Sequence, residues 1–196
     1  MGLGKTIQAI GIINSDPEIK TVIIVCPKSL KLNWKRELEK WLVREYSIAT
    51  IDKSWINADI VILNYEALSK FSEQIQSQTW GICIVDEAHY IKNAKALRSK
   101  NVKAIKASRT ARLTGTPIVN RPIELYNIIS DLHDFGSFFS FAKRYAGAHH
   151  NGFGWDFSGA QNLDELQKRL RETIMVRRLK MDVLKELPRK IRQIVE

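Results

Sequence analysis

The sequence predicts an α/β fold in which helices cover both faces of a parallel β-sheet, followed by a helical appendage. Short apolar runs rich in β-branched residues alternate with helical patterns, and the links between them are short. Runs that are apolar throughout, such as 21–26 and 82–85, are typical of strands buried on both faces. Mainly helical patterns follow from Pro122. We therefore expect a sheet-containing lobe over residues 1–121 and a helical extension over 122–196.

The individual elements can be assigned in order along the chain. Strands are predicted at 21–26, 48–51, 58–63, 82–85 and 109–113. Helices are predicted at 7–13, 30–42, near 65, and at 94–107, 122–133, 138–145 and 163–173. Strands that are separated by helices with short links imply a parallel sheet, because each return to the same edge of the sheet requires a crossover.

The second predicted helix has a clear apolar face. Leu30, Trp34, Leu38 and Trp41 recur at spacings of three and four residues. This spacing places them on one side of the helix, so we expect Trp34 and Trp41 to lie in the core. Ser29 stands where a hydroxyl can cap the start of the helix.

The charge of the chain favours a polyanionic partner. Its 196 residues include 31 Lys and Arg against 21 Asp and Glu, which gives a formal net charge of +10. Nucleic acid is the first candidate, and a merely basic surface is the alternative. No stretch approaches the roughly 20 apolar residues of a membrane span, so no membrane partner is expected. We expect a monomer.

The two cysteines point to a reducing compartment. Cys26 and Cys83 are far apart in the sequence, and each lies in an apolar run. Buried, reduced thiols are the natural interpretation, because a disulfide framework or a zinc site requires more cysteines or closer spacing. We therefore expect an intracellular protein, in the cytoplasm or nucleoid of a prokaryote or the nucleus of a eukaryote.

The first residues carry the back half of a phosphate-binding loop. The nucleotide-binding residues predicted from it are Gly2, Leu3, Gly4, Lys5 and Thr6. Small residues let backbone N–H groups approach phosphate oxygens, Lys5 supplies a positive charge, and the Thr6 hydroxyl ligates Mg²⁺. The full pattern has another glycine five positions before Gly4, which would precede residue 1. We therefore expect weak nucleotide binding by this chain alone.

Two adjacent carboxylates follow the predicted strand at 82–85. In an open α/β sheet, ligands bind beyond the carboxyl ends of the strands. Asp86 there can hold Mg²⁺ opposite Thr6, and Glu87 can orient and deprotonate the attacking water. The alternative is that the two acids only begin a helix, where its dipole favours them. The upstream Gly-Lys-Thr motif favours the ATP site.

A third polar segment ends the predicted strand at 109–113. Thr114, Gly115 and Thr116 lie there, and the two threonine hydroxyls can hydrogen-bond the acidic segment and sense the γ-phosphate. An ordinary turn is the alternative for this segment by itself. Its order after the other two motifs favours a role at the nucleotide site.

Taken in order, these motifs resemble helicase superfamily two and, more narrowly, its Snf-type, chromatin-remodeller-like ATPases. The first six residues match the family's Met-Gly-Leu-Gly-Lys-Thr, and 25–34 is similar to its second motif. Residues 113–120, Leu-Thr-Gly-Thr-Pro-Ile-Val-Asn, resemble its third. The resemblance continues to Leu187 and Pro188 and so covers nearly the whole chain. The stretch 154–159 is similar to the annealing-helicase (HepA-related) branch.

The resemblance implies a RecA-like lobe of the P-loop NTPase class and a role for each matching residue. Lys5, Asp86 and Glu87 would be catalytic, with ATP and Mg²⁺ as cofactors. The residues that would couple the nucleotide site to nucleic acid are His89, Thr114, Gly115 and Thr116. The residues that would lie along one strand of double-stranded DNA are Lys28, Ser29, Asn33, Asn64 and Tyr65. Hydroxyl, amide and ammonium donors suit phosphates without sequence readout.

Simpler interpretations exist for several residues in the DNA set. Ser29 can be only a helix cap, Lys28 only a solvated charge, and Tyr65 a core residue. Asn33 and Asn64 can equally be ordinary surface amides.

The resemblance implies the first motor lobe of a DNA-dependent ATPase that moves along double-stranded DNA. Such a motor remodels protein–DNA complexes or anneals strands. A second RecA-like lobe would complete its ATP site, and 122–196 would include the start of the linker to it. An arginine from that lobe is worth ~10³–10⁵ in rate, so the chain alone is expected to be inactive. An RNA helicase lobe of the same superfamily and a non-catalytic docking module are the alternatives.

Overall fold

The computed structural model describes residues 3–115 and 121–178. The helices are α1 (Lys5–Ser15), α2 (Lys31–Trp41), α3 (Ser72–Gln76), α4 (Leu97–Lys103), α5 (Pro122–Ile129), α6 (Phe138–Tyr145) and α7 (Leu163–Thr173). The strands are β1 (Val22–Cys26), β2 (Ile48–Thr50), β3 (Ile60–Asn64), β4 (Trp80–Asp86), β5 (Ala107–Leu113), β6 (His149–His150) and β7 (Trp155–Asp156). Short 3₁₀ turns span Lys28–Leu30, Tyr65–Ala67 and Ala88–Ile91.

Strands β1 to β5 form one parallel sheet in the order β2-β3-β1-β4-β5. Successive residues of a strand point to opposite faces. Val22, Ile24 and Cys26 of β1 therefore pack with α1 and α2, whereas Ile23 and Val25 pack on the other face with α3, α4 and α5. Both faces are buried, which explains why the central strands are apolar throughout. The predicted fold, a parallel sheet with helices on both faces, is confirmed.

The chain reverses its direction across the sheet between β1 and β4. From β1 it passes to the β2 edge and returns through β3, and then crosses to β4 on the other side of β1. The segment after β1 leads into α2 on one face, and the segment after β4 leads into α4 on the other. Such a switch point opens a crevice at the carboxyl ends of the two strands, where α/β sheets bind their ligands.

Helix α1 runs antiparallel to the strands and presents its first turn at the same edge. Asp16, directly after α1, forms an ion pair with Arg109 near the start of β5, so the end of α1 lies at the amino edge of the sheet. The 11 residues of α1 span about 16 Å at 1.5 Å per residue. This length matches a strand of five residues, so Lys5 and Thr6 lie at the carboxyl edge.

Several local expectations differ from the structure. The helix predicted near 65 is a 3₁₀ turn followed by α3, and the helix predicted at 122–133 ends at Ile129. Ser29 lies inside a 3₁₀ turn and caps no helix, because that turn runs directly into α2. Trp41 is 42% exposed, whereas Trp34 is fully buried, because Trp41 is the last residue of α2 and its indole N–H donates to Glu37 on the helix surface. The predicted helix at 94–107 is only α4, since Asn93 forms a turn before it and β5 already begins at Ala107.

The helical appendage continues the core of the sheet. Leu125 and Ile128 of α5, Phe141 of α6 and Leu166 of α7 belong to the same buried cluster as Val25 of β1. A short antiparallel hairpin, β6–β7, follows α6. Within 3–115 and 121–178, no helix is long and apolar enough to cross a membrane.

The appendage is tied to the turn that follows β4. Asn127 of α5 donates a buried hydrogen bond to the carbonyl of Ile91, and Lys92 bonds both carboxylate oxygens of Glu124 at 3.1 Å. The turn Ala88–Ile91 is therefore held from the side of the appendage.

Candidate nucleotide site and adjoining groove

The start of α1 has the backbone of a phosphate-binding loop. Gly4 has φ 71°, in the left-handed region that glycine adopts without strain, and immediately precedes the helix. A Cβ at Gly4 would meet nothing within 4 Å, so glycine is needed there for its backbone conformation. The Gln8 side chain donates to the carbonyl of Leu3 at 2.9 Å and ties the loop to the first turn. Lys5 and Thr6, both half-buried, thus begin a helix whose free N–H groups suit an anion.

Asp86 is buried at the end of β4 and held by three hydrogen bonds. Its Oδ2 atom accepts from the indole Nε1 of Trp34 at 2.9 Å, and Oδ1 accepts from the backbone N–H of Glu87 at 2.9 Å. Its main-chain oxygen accepts from the Tyr65 hydroxyl at 2.6 Å. These donors restrain both the carboxylate and the backbone of Asp86.

Glu87 adopts a conformation that is rare for a residue with a Cβ. Its φ of 49° and ψ of 53° lie in the left-handed region, which costs of order 1–3 kcal/mol for residues other than glycine. The Glu87 Oε2 atom is buried 3.2 Å from Nδ1 of His89. The two atoms are not aligned for a hydrogen bond with each other. Among the described residues, neither atom has any other hydrogen-bond partner. The carboxylate of Glu87 is therefore left with acceptor capacity for a ligand or water.

The residues at this edge fit a triphosphate with Mg²⁺. Each carboxylate oxygen of Asp86 takes one N–H donor among the described residues, which leaves lone pairs for a cation. Mg²⁺ prefers oxygen ligands of the kind that Asp86 and the Thr6 hydroxyl provide. The buried Glu87 Oε2 atom is the further polar atom that an ordered water would satisfy.

The end of β5 lies beside Asp86. Leu113 pairs with Asp86 in the sheet register, so Thr114 and Gly115 follow at the same edge. Gly2 and Thr116, also predicted at the nucleotide site, lie outside the described residues. The coupling roles of His89, Thr114, Gly115 and Thr116 remain predictions.

An open groove of about 780 Å³ lies on the other side of β1. Four of the five residues predicted to contact DNA line it: Lys28, Ser29, Asn64 and Tyr65. The structure brings them together because β1 and β3 are neighbours, and Cys26 pairs with Asn64 at the carboxyl edge. The fifth, Asn33, is exposed on α2 and is not among the lining residues.

Sequence reasoning missed three residues in and beside the groove. Tyr90 stacks on Tyr65 with ring centroids 5.3 Å apart, and the guanidinium of Arg98 lies 5.5 Å from the Tyr90 ring. Glu66 also lines the groove, and its carboxylate accepts a hydrogen bond from the Asn64 amide. That hydrogen bond, its own backbone N–H and the charges of Arg98 and Lys28 lower the pKa of Glu66. No local pattern signals these residues, since Tyr90 and Arg98 become relevant only through the packing of the 88–91 turn and α4, and Glu66 only through its contact with Asn64.

The edge of the sheet beneath the site is apolar and buried. Burial, together with the negative charge of Asp86, raises the pKa of the Cys26 thiol to about 12. Burial, with added effects of nearby acidic groups, also raises the pKa of Tyr65. Both groups are therefore neutral at physiological pH, and the Tyr65 hydroxyl remains a donor to the Asp86 carbonyl.

A parallel sheet with a glycine-led helix N-terminus and a buried carboxylate at its switch point defines a RecA-like nucleotide-binding lobe. Over residues 1–196 the sequence matches the model of the SNF2-related domain. The chain belongs to the SNF2-related domain family.

Sequence similarity to curated proteins supports this family assignment. The DNA annealing helicase and endonuclease ZRANB3 of Bos taurus is 42% identical over 98% of this chain and 20% of its own length. The SWI/SNF-related matrix-associated actin-dependent regulator of chromatin subfamily A-like protein 1 of Xenopus tropicalis is 38% identical over 100% of this chain and 22% of its own. The chain thus spans about a fifth of the length of these curated relatives.

Solved structures have the same fold. The Sulfolobus solfataricus SWI2/SNF2 ATPase core in complex with dsDNA aligns with a TM-score of 0.77 at 28% identity. The alignment covers 96% of this chain and 41% of that one. The ATPase core domain from the same organism aligns with a TM-score of 0.72 at 29% identity over 96% of this chain and 40% of its own.

Proposed function

We propose that this chain is the first motor lobe of an ATPase that is stimulated by double-stranded DNA and moves along it. One observation carries the proposal. The carboxylate pair Asp86–Glu87 and the groove with Lys28 and Asn64 lie at the same edge of one sheet, on the two sides of β1. A nucleotide site and a polyanion site that share a rigid edge are what a DNA-driven ATPase requires.

The nucleotide chemistry follows from the side chains at the start of α1 and the end of β4. Lys5 and the N–H groups of the first turn of α1 would bind the phosphates, and Thr6 with Asp86 would hold Mg²⁺. Bound Mg²⁺ supplies positive charge that neutralises the phosphate oxygens during transfer. Glu87 would orient a water molecule and accept its proton, a role that its unsatisfied Oε2 atom supports.

The groove supplies contacts to a nucleic-acid backbone. Lys28, Ser29 and Asn64 offer ammonium, hydroxyl and amide donors, and Asn33 offers a further amide on α2. Donors of this kind bind phosphates without reading bases, which suits a protein that must move from one base pair to the next. The domain family and the DNA in the Sulfolobus complex support duplex DNA as the partner.

We further propose that the whole protein has a second RecA-like lobe that closes on the nucleotide. The chain aligns with 41% of the solved ATPase core, so the rest of that core has room for a second lobe of similar size, which supports the proposal. The relatives named annealing helicases, together with the similarity of 154–159 to that branch, favour strand annealing or remodelling as the outcome of movement.

The test is steady-state ATP hydrolysis by the full-length protein with and without duplex DNA. We expect DNA to stimulate hydrolysis, and Glu87→Gln to lower kcat at least about 100-fold because the general base is lost. Glu172→Gln on α7 is the matched control and should stay within about twofold of the wild type.

Two outcomes would contradict the proposal. The first is equal ATP hydrolysis by the wild-type protein with and without DNA, because a DNA-dependent motor requires stimulation by DNA. Stronger stimulation by duplex RNA than by duplex DNA would favour the RNA helicase alternative.

A further inference from the structure

Two donors reach Asp86 from the two elements that build the groove. Trp34 lies on α2, directly after the groove-lining turn Lys28–Leu30, and donates its indole N–H to Oδ2 of Asp86 at 2.9 Å. Tyr65 begins the turn after β3 and donates its hydroxyl to the main-chain oxygen of Asp86 at 2.6 Å. Trp34 is 0% and Tyr65 2% exposed, so water does not compete for either hydrogen bond.

Tyr65 makes its contact across the sheet. Strand β1 lies between β3, which Tyr65 follows, and β4, which Asp86 ends. The hydroxyl therefore reaches past the end of β1. The same tyrosine lines the groove and stacks on Tyr90 with an angle of 11° between the rings. One side chain thus touches the groove at its ring and the nucleotide site at its hydroxyl.

We infer that Trp34 and Tyr65 are positioning residues that transmit occupation of the groove to Asp86. The inference rests on the proposed function and names how the DNA site regulates the ATP site. A backbone phosphate bound at Lys28 and Asn64 shifts the turn Lys28–Leu30, which leads into α2 and Trp34, and the turn that begins at Tyr65. Through the two hydrogen bonds, that shift reorients the Asp86 carboxylate and its carbonyl, and so sets the position from which Asp86 would hold Mg²⁺.

If Trp34 and Tyr65 had only a structural role, removing their hydrogen bonds would lower kcat no more than removing similar hydrogen bonds elsewhere in the fold. Trp80 is also fully buried and donates its indole N–H to a carbonyl, that of Ile75, at 3.0 Å, but at the amino end of β4. Tyr126 donates its hydroxyl to the carbonyl of Gly136 at 3.0 Å in the appendage. These two residues are controls, because each makes the same kind of hydrogen bond without contact with Asp86; Trp80 is also matched in burial, whereas Tyr126 is half-buried.

The experiment uses the full-length protein with Trp34→Phe and Tyr65→Phe, and with Trp80→Phe and Tyr126→Phe as controls. We expect each of the first two to lower kcat at saturating DNA about tenfold, because each removes a buried hydrogen bond to Asp86. The dissociation constant for duplex DNA should change less than about twofold, since the donors face Asp86 and not the groove. The double variant should lose less than the product of the single losses, because both act through one residue.

A second measurement does not depend on hydrolysis. In protein labelled with 5-fluorotryptophan, the ¹⁹F resonance that disappears in Trp34→Phe belongs to Trp34. We expect duplex DNA, added without nucleotide, to shift this resonance in the wild type and to shift it less in Tyr65→Phe.

Three outcomes overturn the inference while the proposed function stands: unchanged kcat in both variants, equal losses in the controls, or a loss fully explained by weaker DNA binding. An unshifted Trp34 resonance in protein that binds DNA overturns it as well. Wild-type protein without any DNA stimulation overturns the proposed function instead.

Discussion

Glu87 Oε2 and His89 Nδ1 are buried 3.2 Å apart, and Glu87, which immediately precedes the turn Ala88–Ile91, is held in the left-handed conformation. The backbone there brings a carboxylate and an imidazole together directly after β4. Neither atom forms an aligned hydrogen bond within the part of the chain that the structure describes. Polar atoms held unsatisfied on strained backbone are typical of functional sites, where the stability cost is retained for chemistry.

The strain at Glu87 predicts an inverted preference for glycine. Glycine normally destabilises a protein by about 0.5–1 kcal/mol relative to alanine. At φ 49°, we expect Glu87→Gly to be more stable than Glu87→Ala by about 1 kcal/mol, because only glycine adopts this backbone without strain. Urea unfolding of the two variants measures the difference.

An exposed helix position gives the control for this comparison. Arg171 lies in the last turn of α7, and there Arg171→Gly should be less stable than Arg171→Ala by about 1 kcal/mol. The same order at both positions would show that the left-handed turn at Glu87 is not strained in solution.

The ion pair between β5 and the segment after α5 predicts a pH dependence. Arg112, whose side chain is 4% exposed, bonds both carboxylate oxygens of Asp131. Partial burial acts to raise the pKa of Asp131, but the hydrogen bonds and charge of Arg112, with Lys103, outweigh it, so the net pKa is lowered. A carboxyl whose pKa is lower in the folded state stabilises the fold above its unfolded pKa of about 3.9.

We therefore expect Asp131→Asn to lower the free energy of unfolding by about 1–2 kcal/mol at pH 7, a figure reduced because Asp131 is partly exposed. The difference from the wild type should shrink as the pH falls below about 4, because the wild-type carboxylate then becomes protonated. Urea unfolding at pH 7 and pH 3 tests this, with Glu45→Gln, at an exposed carboxylate, as the control. A constant difference at both pH values would contradict the role of the Asp131 charge.

Both thiols should be inert in the folded protein. Burial raises the pKa of Cys26 and of Cys83 to about 12 each, so the reactive thiolate is scarce at pH 8 and shielded by the sheet. We expect labelling by a disulfide reagent to require unfolding, and to be complete in denaturant. Ser158→Cys adds an exposed thiol and should label at once in native buffer. Fast native labelling of Cys26 would mean that the carboxyl end of β1 opens readily.

The groove residues should contribute charge without sequence preference. Lys28→Ala and Arg98→Ala should each weaken binding of duplex DNA by the full-length protein to a similar extent on unrelated sequences. For a residue that contacts a phosphate, the slope of log affinity against log salt should fall by about 1. Lys168→Ala on α7 is the control. An unchanged slope in both groove variants would place the DNA elsewhere on the chain.

The local chemistry of the nucleotide site could be predicted from the sequence. Lys5, Thr6 and Asp86 belong to short motifs in which a few adjacent residues contain both the backbone signal and the reactive group. The structure brings these motifs to one edge because the strands are parallel and α1 runs back along them. Their roles in binding ATP and Mg²⁺ stay predictions until they are measured.

The contacts between distant segments could not be predicted. Trp34 and Asp86 are 52 positions apart, and Arg112 and Asp131 are 19 apart. The apolar spacing of α2 places Trp34 in the core, but it contains no information on where the indole N–H points. The same limit applies to Trp41, which has the same spacing and lies outside the core.

The sequence by itself therefore determined the fold class, the order of the strands along the chain and the polar motifs at their ends. These depend on the period of apolar residues and on short motifs, both of which are local. Only the tertiary structure decided that the groove and the carboxylate site meet through Trp34 and Tyr65. That contact depends on β3, β1 and β4 lying side by side, and their order across the sheet is set by the packing of the whole lobe.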